Sequence, residues 1–190
     1  MDSKYSHENK NADSDDVFML SALAQAAAAL EQGEFPVGCV IVQENRIISR
    51  GARNGTIPEP GRRAIISEVD HAEIRALRQL ESCPYPVMPE KCTLYCTLEP
   101  CLMCFGAIIL TGIPRIVYAF EDPMGGGTVC DLASLPLLYK NCRVQVKTGV
   151  CRRKSLDLFY NFFNKKGNQY WKNSLLEQYV RDQKQYGSGK

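Results

Sequence analysis

The triplet His71-Ala72-Glu73, followed by Pro100-Cys101-Leu102-Met103-Cys104, constrains this chain more than any other feature. One imidazole and two thiolates suit a tetrahedral zinc ion, and three protein ligands leave the fourth position to water, as in catalytic zinc sites. Ligands so far apart in sequence meet only if the fold brings two segments together on rigid elements. Cys101 and Cys104 alone would also suit a thioredoxin-like redox pair. His71, the carboxylate of Glu73 two residues on, and Pro100 directly before the first cysteine turn the reading to one zinc per chain held by His71, Cys101 and Cys104. The other histidine, His7, lies in a polar stretch near the start of the chain.

The flanking sequence supplies suitable elements. Asp70 can cap a helix from about His71 to Glu81, with Ile74, Leu77 and Leu80 as its buried stripe. Cys92 to Thr97 reads as a strand, Pro100 suits a helix first turn, and Leu102 to Leu110 is apolar almost all round, which predicts a deeply buried helix. Cys101 and Cys104, three residues apart, share a face. Upstream, Asp13 or Ser14 can cap a helix with Val17, Leu20, Leu23, Ala24, Ala27 and Leu30 at helical spacing, ended by Gly33. Val37 to Val42 and Arg46 to Ser49 read as a hairpin with Asn45 at positive φ, and Gly51 as the break after its second strand. Arg115 to Phe120 and Arg143 to Lys147 are further strands, Asp131 to Tyr139 a short helix, and Cys151 to Phe163 an amphipathic helix. This alternation predicts an α/β fold, a sheet with helices on both faces.

A chain of 190 residues holds one well-cored domain. Its expected span is 14–164, between a disordered tail at 1–13 and a C-terminal helical extension at 165–190. Nine cysteines, an odd number mostly beside apolar residues, point to reduced thiols and a cytoplasmic location rather than a disulfide framework. No secretory signal and no apolar run of membrane-spanning length is present, so a membrane protein is not expected. A net charge of +2 does not mark the whole chain as a nucleic-acid binder, and any such surface must be local. Residues 52–70, rich in glycine and proline turn signals, form a long loop running into His71, which reads as a lid or substrate-recognition loop, or as disorder.

Several segments together carry a family resemblance: Glu34-Phe35-Pro36-Val37-Gly38, His71-Ala72-Glu73-Ile74, the run from Leu94 to Cys104, Gly106-Ala107, and Arg115 to Asp122. With its H-x-E and P-C-x-x-C halves, a known signature of zinc-dependent nucleobase deaminases, the chain resembles the cytidine deaminase superfamily, most closely the bacterial tRNA adenosine deaminases. The resemblance implies a three-layer α/β/α fold with a central five-stranded mixed sheet, a homodimer, and hydrolysis of adenosine to inosine in a tRNA anticodon stem-loop. It makes Glu73 the proton shuttle beside a zinc-activated water. It also assigns Asn54, Ala72 and Asp122 to substrate contact, Asn54 only with one extra residue after Gly51. The same chemistry would serve a free nucleobase or nucleoside of guanine, cytosine or adenine type. A catalytically silent zinc-bearing scaffold that binds nucleic acid is a third reading, against which the intact Glu73 argues. Glu99 reads as a turn or hydrogen-bonding residue behind the metal, and Gly125-Gly126-Gly127 as a flexible rim. Lys165, Lys166, Tyr170, Trp171 and Lys172 fit either an RNA surface or, the preferred reading, a docked C-terminal helix, while Arg62-Arg63 and Arg152-Arg153-Lys154 are candidate phosphate contacts.

Overall fold

The computed structural model describes residues 8–57 and 67–187, with side chains from residue 14 onward. In chain order the elements are α1 (Glu8–Glu31), β1 (Gly38–Gln43), β2 (Arg46–Ala52), α2 (Ala72–Gln79), β3 (Cys92–Leu98), α3 (Leu102–Thr111), β4 (Arg115–Phe120), α4 (Leu137–Lys140), β5 (Gln145–Lys147), α5 (Arg152–Phe163) and α6 (Leu175–Tyr186). The strands form one mixed sheet in the order β2-β1-β3-β4-β5. β1 runs antiparallel to β2 and β3, whereas β3, β4 and β5 are mutually parallel, so the crossover between β3 and β4 is made by α3. The β1–β2 turn has Glu44 and Asn45 both at positive φ (49° and 62°), the two-residue turn whose twist matches the strands.

Alternation along the strands separates two cores. Cys39 and Ile41 of β1, Leu94 of β3, and Ile116 and Phe120 of β4 join the cluster that α2 and α3 cover. Val40, Val42, Tyr95 and Val117 point the other way, to Met19, Ala22 and Leu23 of α1. α5 packs beside α1 and sends Leu156, Phe159, Phe162 and Phe163 into the larger cluster. Among the described residues no helix is long and apolar enough to cross a membrane.

Four elements differ from their expected form. α1 begins at Glu8, so residues 8–13, expected in a disordered tail, extend the helix, while residues 1–7 lie outside the described residues. Adding turns to a helix already fixed by packing costs little. The buried face of α1 is Asp15, Met19, Ala22, Leu23, Ala26 and Ala29, with Val17 and Leu20 outward. An alanine-rich helix gives apolar spacing little power to choose a face, and here Asp15 chooses it. Its carboxylate accepts hydrogen bonds from Tyr95 Oη (2.8 Å), Arg115 Nη1 (2.9 Å) and Lys147 Nζ (2.7 Å). Burial alone would raise the Asp15 pKa, but these donors outweigh it and hold it at about 2.

Gly51 does not end β2; it pairs with Cys39 inside the strand. A Cβ there would lie 2.0 Å from the Ala72 carbonyl oxygen, so the glycine lets the first turn of α2 rest on the sheet. α3 buries Cys104, Phe105, Ile108 and Ile109 but leaves Leu102 (63%) and Leu110 (60%) exposed, against the deep burial expected of it. A helix lying on one sheet buries one stripe, and the rest of its apolar surface has no partner within this chain. The segment after Asp131 divides into a single 3₁₀ turn, Leu132–Ser134, which Asp131 caps by accepting from Ala133 N (3.0 Å), and the short α4 behind Pro136.

Candidate active site

His71 and Cys101 are the N-cap residues of α2 and α3, both with extended backbone, and neither side chain caps its own helix. They turn toward each other instead. Asp70, expected as the cap, stands one residue before the N-cap; its carboxylate accepts from Arg75 Nη1 at 2.8 Å. His71 Nδ1 lies 3.5 Å from Cys101 Sγ and 3.4 Å from Cys104 Sγ, and the three ligand atoms fall within 4.8 Å of one another. Zinc bonds of about 2.0–2.1 Å to nitrogen and 2.3 Å to sulfur in tetrahedral geometry separate the two atoms by about 3.5 Å, so spacing and donor set both fit the ion. Hydrogen bonds from Cys104 and His71 hold the Cys101 thiol down to about 4, and donation pushes Cys104 upward; a dication draws both to the thiolate.

Glu73 occupies the first turn of α2 and is 3% exposed. Burial pushes its carboxyl up to about 7. Its Oε2 is the buried side-chain polar atom left without a partner among the described residues. An unmet buried acceptor costs about 1–3 kcal/mol, a cost that makes sense where water or a substrate N–H is to be received.

Around this end the chain builds a braced rim. Glu99 accepts from Thr128 N (3.3 Å), Thr128 Oγ1 (2.5 Å) and Asp122 N (3.3 Å), while Asp122 Oδ1 accepts from Met124 N (2.9 Å) and Gly125 N (3.0 Å). The glycine triplet, expected to be flexible, is thus tied at both flanks, and Glu99 has the turn-holding role read for it. Ala72 and Asp122, to which the resemblance assigns substrate contact, line the cavity. Asn54 does not: it is exposed, and the preceding residue, Arg53, lines the cavity with its side chain 3% exposed. Arg53 Nη1 donates to Asn54 O (3.2 Å) and Nη2 to Tyr170 Oη (3.4 Å), with Glu68 Oε2 at 3.5 Å.

A second part of the lining comes from Phe35 and the C-terminal extension. Tyr170 and Trp171 stack on one another (5.3 Å between centroids, 9° between planes) and pack against Phe35 at 5.5 and 5.4 Å. Trp171 and Asn173 hold left-handed φ of 51° and 62°, a conformation unfavourable without glycine that persists because packing fixes it. Beyond them, α6 buries Leu176 and Val180, and Tyr179 Oη donates to Glu121 Oε1 at 2.5 Å. The extension therefore docks, as preferred from the sequence, and its two aromatic rings also complete the cavity, which spacing alone did not reveal. Arg152 is bound by Glu121 (Nε to Oε2, 2.8 Å) and Gln183 (Nη2, 2.9 Å), so it is engaged in holding α6 rather than open to phosphate. Arg62 and Arg63 lie outside the described residues. The enclosed volume of the cavity is about 60 Å³.

Comparison with known proteins agrees with this geometry. The family described as "Cytidine and deoxycytidylate deaminase zinc-binding region" matches residues 12–120. The chain is 34% identical to a tRNA-specific adenosine deaminase of Streptococcus pyogenes over 83% of its own length and 94% of the relative's. It is also 34% identical to the Bacillus subtilis enzyme of that name, over 78% and 88%. A solved structure from studies of A-to-I editing by tRNA:A34 deaminases superposes with a TM-score of 0.58 at 32% identity, covering 74% of this chain and 97% of that one. The chain belongs to the cytidine and deoxycytidylate deaminase family.

Proposed function

We propose that the protein hydrolyses adenosine in tRNA to inosine and ammonia, with one zinc per chain held by His71, Cys101 and Cys104. The observation that carries deamination is the unpartnered, buried Glu73 Oε2 beside the imidazole and two thiols; the adenosine and tRNA parts rest on likeness to relatives of that name. Zinc bound here supplies an activated water at neutral pH. Glu73 would take one water proton and pass it to the ring nitrogen as the water oxygen bonds to the amino-bearing carbon, then carry the second water proton to the amino group, which leaves as ammonia when its C–N bond breaks. Phe35, Tyr170 and Trp171 offer the base an aromatic wall. The braced turn of Glu99 and Asp122 fixes another part of the lining.

The exposed leucines of α3, with Val129, Leu137 and Leu138, flank a groove between α3 and residues 130–139; a second copy of the chain covering this face gives the homodimer we propose, in the cytoplasm where tRNA is met. One observation favours a second reading. Tyr170 and Trp171 give the cavity a stacked aromatic wall from within the chain, which a free base or nucleoside can meet without RNA. The test is to incubate the zinc-loaded protein with tRNA, an anticodon stem-loop, adenosine, guanine and cytosine, measuring inosine and ammonia. Inosine in tRNA, with binding that weakens steeply as salt rises, supports the first reading. Salt-independent turnover of a free base with no inosine in tRNA supports the second.

A further inference from the structure

We infer that Arg53 selects a phosphate-bearing substrate: its guanidinium, on the cavity wall between Glu68 and Tyr170, receives the phosphate attached to the nucleoside being deaminated. The inference rests on the proposed function only for the placing of the base beside Glu73. Arg53 follows β2 directly, and its backbone N donates to Val37 O at 2.8 Å, so the sheet fixes where it stands. Its side chain is 3% exposed. A buried cation is costly unless an anion compensates it, and among the described residues the compensation is thin. Two of its contacts are a neutral carbonyl and a neutral hydroxyl. Its acidic partner among the described residues, Glu68, lies 3.5 Å away with a side chain 56% exposed, a pairing that water and salt weaken.

The planar guanidinium fork matches two oxygens of one phosphate, and a charge-assisted pair inside a cavity is stronger than one in solvent. Of the parts of a nucleotide (base, sugar and phosphate), the phosphate is the anionic one. Glu68 is held in place by Tyr170 Oη, which donates to its Oε2 at 3.1 Å. Because Glu68 already faces solvent, an incoming phosphate displaces it without stranding a buried charge. Such a phosphate has two sources, an RNA backbone linkage at the target nucleotide or the 5′-phosphate of a free mononucleotide, and the recognising chemistry is the same.

Trp171, the one tryptophan of the chain, lines this cavity, so its fluorescence reports binding without turnover. The zinc-loaded full chain is titrated with adenosine 5′-monophosphate, adenosine and inorganic phosphate, and with an RNA stem-loop whose linkages at the target nucleotide are either native or neutral methylphosphonate. The affinity ratio of charged to neutral ligand is the readout, in wild type, Arg53→Gln, Arg53→Lys and Glu68→Gln. Arg53→Gln is expected to lower that ratio at least tenfold for the mononucleotide pair or the stem-loop pair, whichever is the source, with partial recovery in Arg53→Lys. Glu68→Gln is expected to raise it several-fold. Equal ratios in wild type and Arg53→Gln for both pairs, or equal weakening of charged and neutral ligands, overturn the inference and make Arg53 a brace for Tyr170. If no ligand yields inosine, the proposed reaction fails, while the fluorescence ratios still decide Arg53.

Discussion

The cavity has two walls of different origin. The metal end is built from the first turns of α2 and α3, with His71, Glu73, Cys101 and Cys104 seated against the sheet. The other wall is built from connections: Arg53 just past β2, and Tyr170 and Trp171 in a turn with two left-handed residues. Bond-making groups must be placed to within fractions of an ångström, which helix starts on a sheet provide. Groups that choose among ligands can sit on segments whose sequence changes without disturbing the core. The difference suggests that the reaction is set at one wall and the substrate at the other.

The largest expected effect is at the metal wall. Cys101→Ser or His71→Ala should remove zinc, seen by metal analysis, and take turnover below detection. Stoichiometric zinc surviving loss of both Cys101 and Cys104 would mean that the ligands lie elsewhere. Next, Glu73→Gln should lower kcat by about a hundred- to ten-thousand-fold while zinc stays bound, because its carboxylate stands outside the ligand set. A few-fold loss would remove it from the proton path. Gly51→Ala probes the support beneath that wall: with a Cβ 2.0 Å from Ala72 O, overpacking of about 1–3 kcal/mol should appear in denaturant unfolding. An unchanged midpoint would show that α2 moves freely on β2.

A global anchor serves both walls. The Asp15 pKa, lowered to about 2 from 3.8, contributes stability that is present above about pH 4 and is lost as pH falls through 2, on the order of 2 kcal/mol. Asp15→Asn should lower stability at neutral pH and flatten its fall between pH 4 and 2, measured by acid titration of unfolding. The smallest effect is at the wall built from connections. Tyr170→Phe removes a hydroxyl shared by Arg53 and Glu68, a hydrogen-bond loss of about 1 kcal/mol, and should move KM several-fold and more than kcat. A larger fall in kcat than in affinity would erase the distinction between the walls.

Much of the metal wall was legible because its chemistry dictates residue type and spacing together. Most strands were legible to within a residue or two where β-branched runs met turn residues, as at Arg115–Phe120, while β2 runs three residues past its expected end. What stayed hidden depends on direction. Successive residues leaving a strand point to opposite sides, so a one-residue difference between Asn54 and Arg53 exchanges solvent for cavity. Apolar spacing in α1 was blunted by its alanines, and the buried Asp15 that sets its rotation reads in sequence as an ordinary first-turn acid. In α3 the pattern showed an apolar helix but not how many of its sides the chain itself would cover. Tyr170 and Trp171 were legible as docking rings, but the place they reach is set by long-range packing against Phe35.

The order in which the walls are made carries a further consequence. Chains are synthesised from the N-terminus and begin to fold in that direction. His71, Glu73, Cys101 and Cys104 therefore exist, and the strands that seat them exist, before Tyr170 and Trp171 have been added. During that interval the ligands belong to a cavity that still lacks its two stacked rings. An ion that binds then meets a site without its aromatic wall, and one that binds later meets the finished cavity.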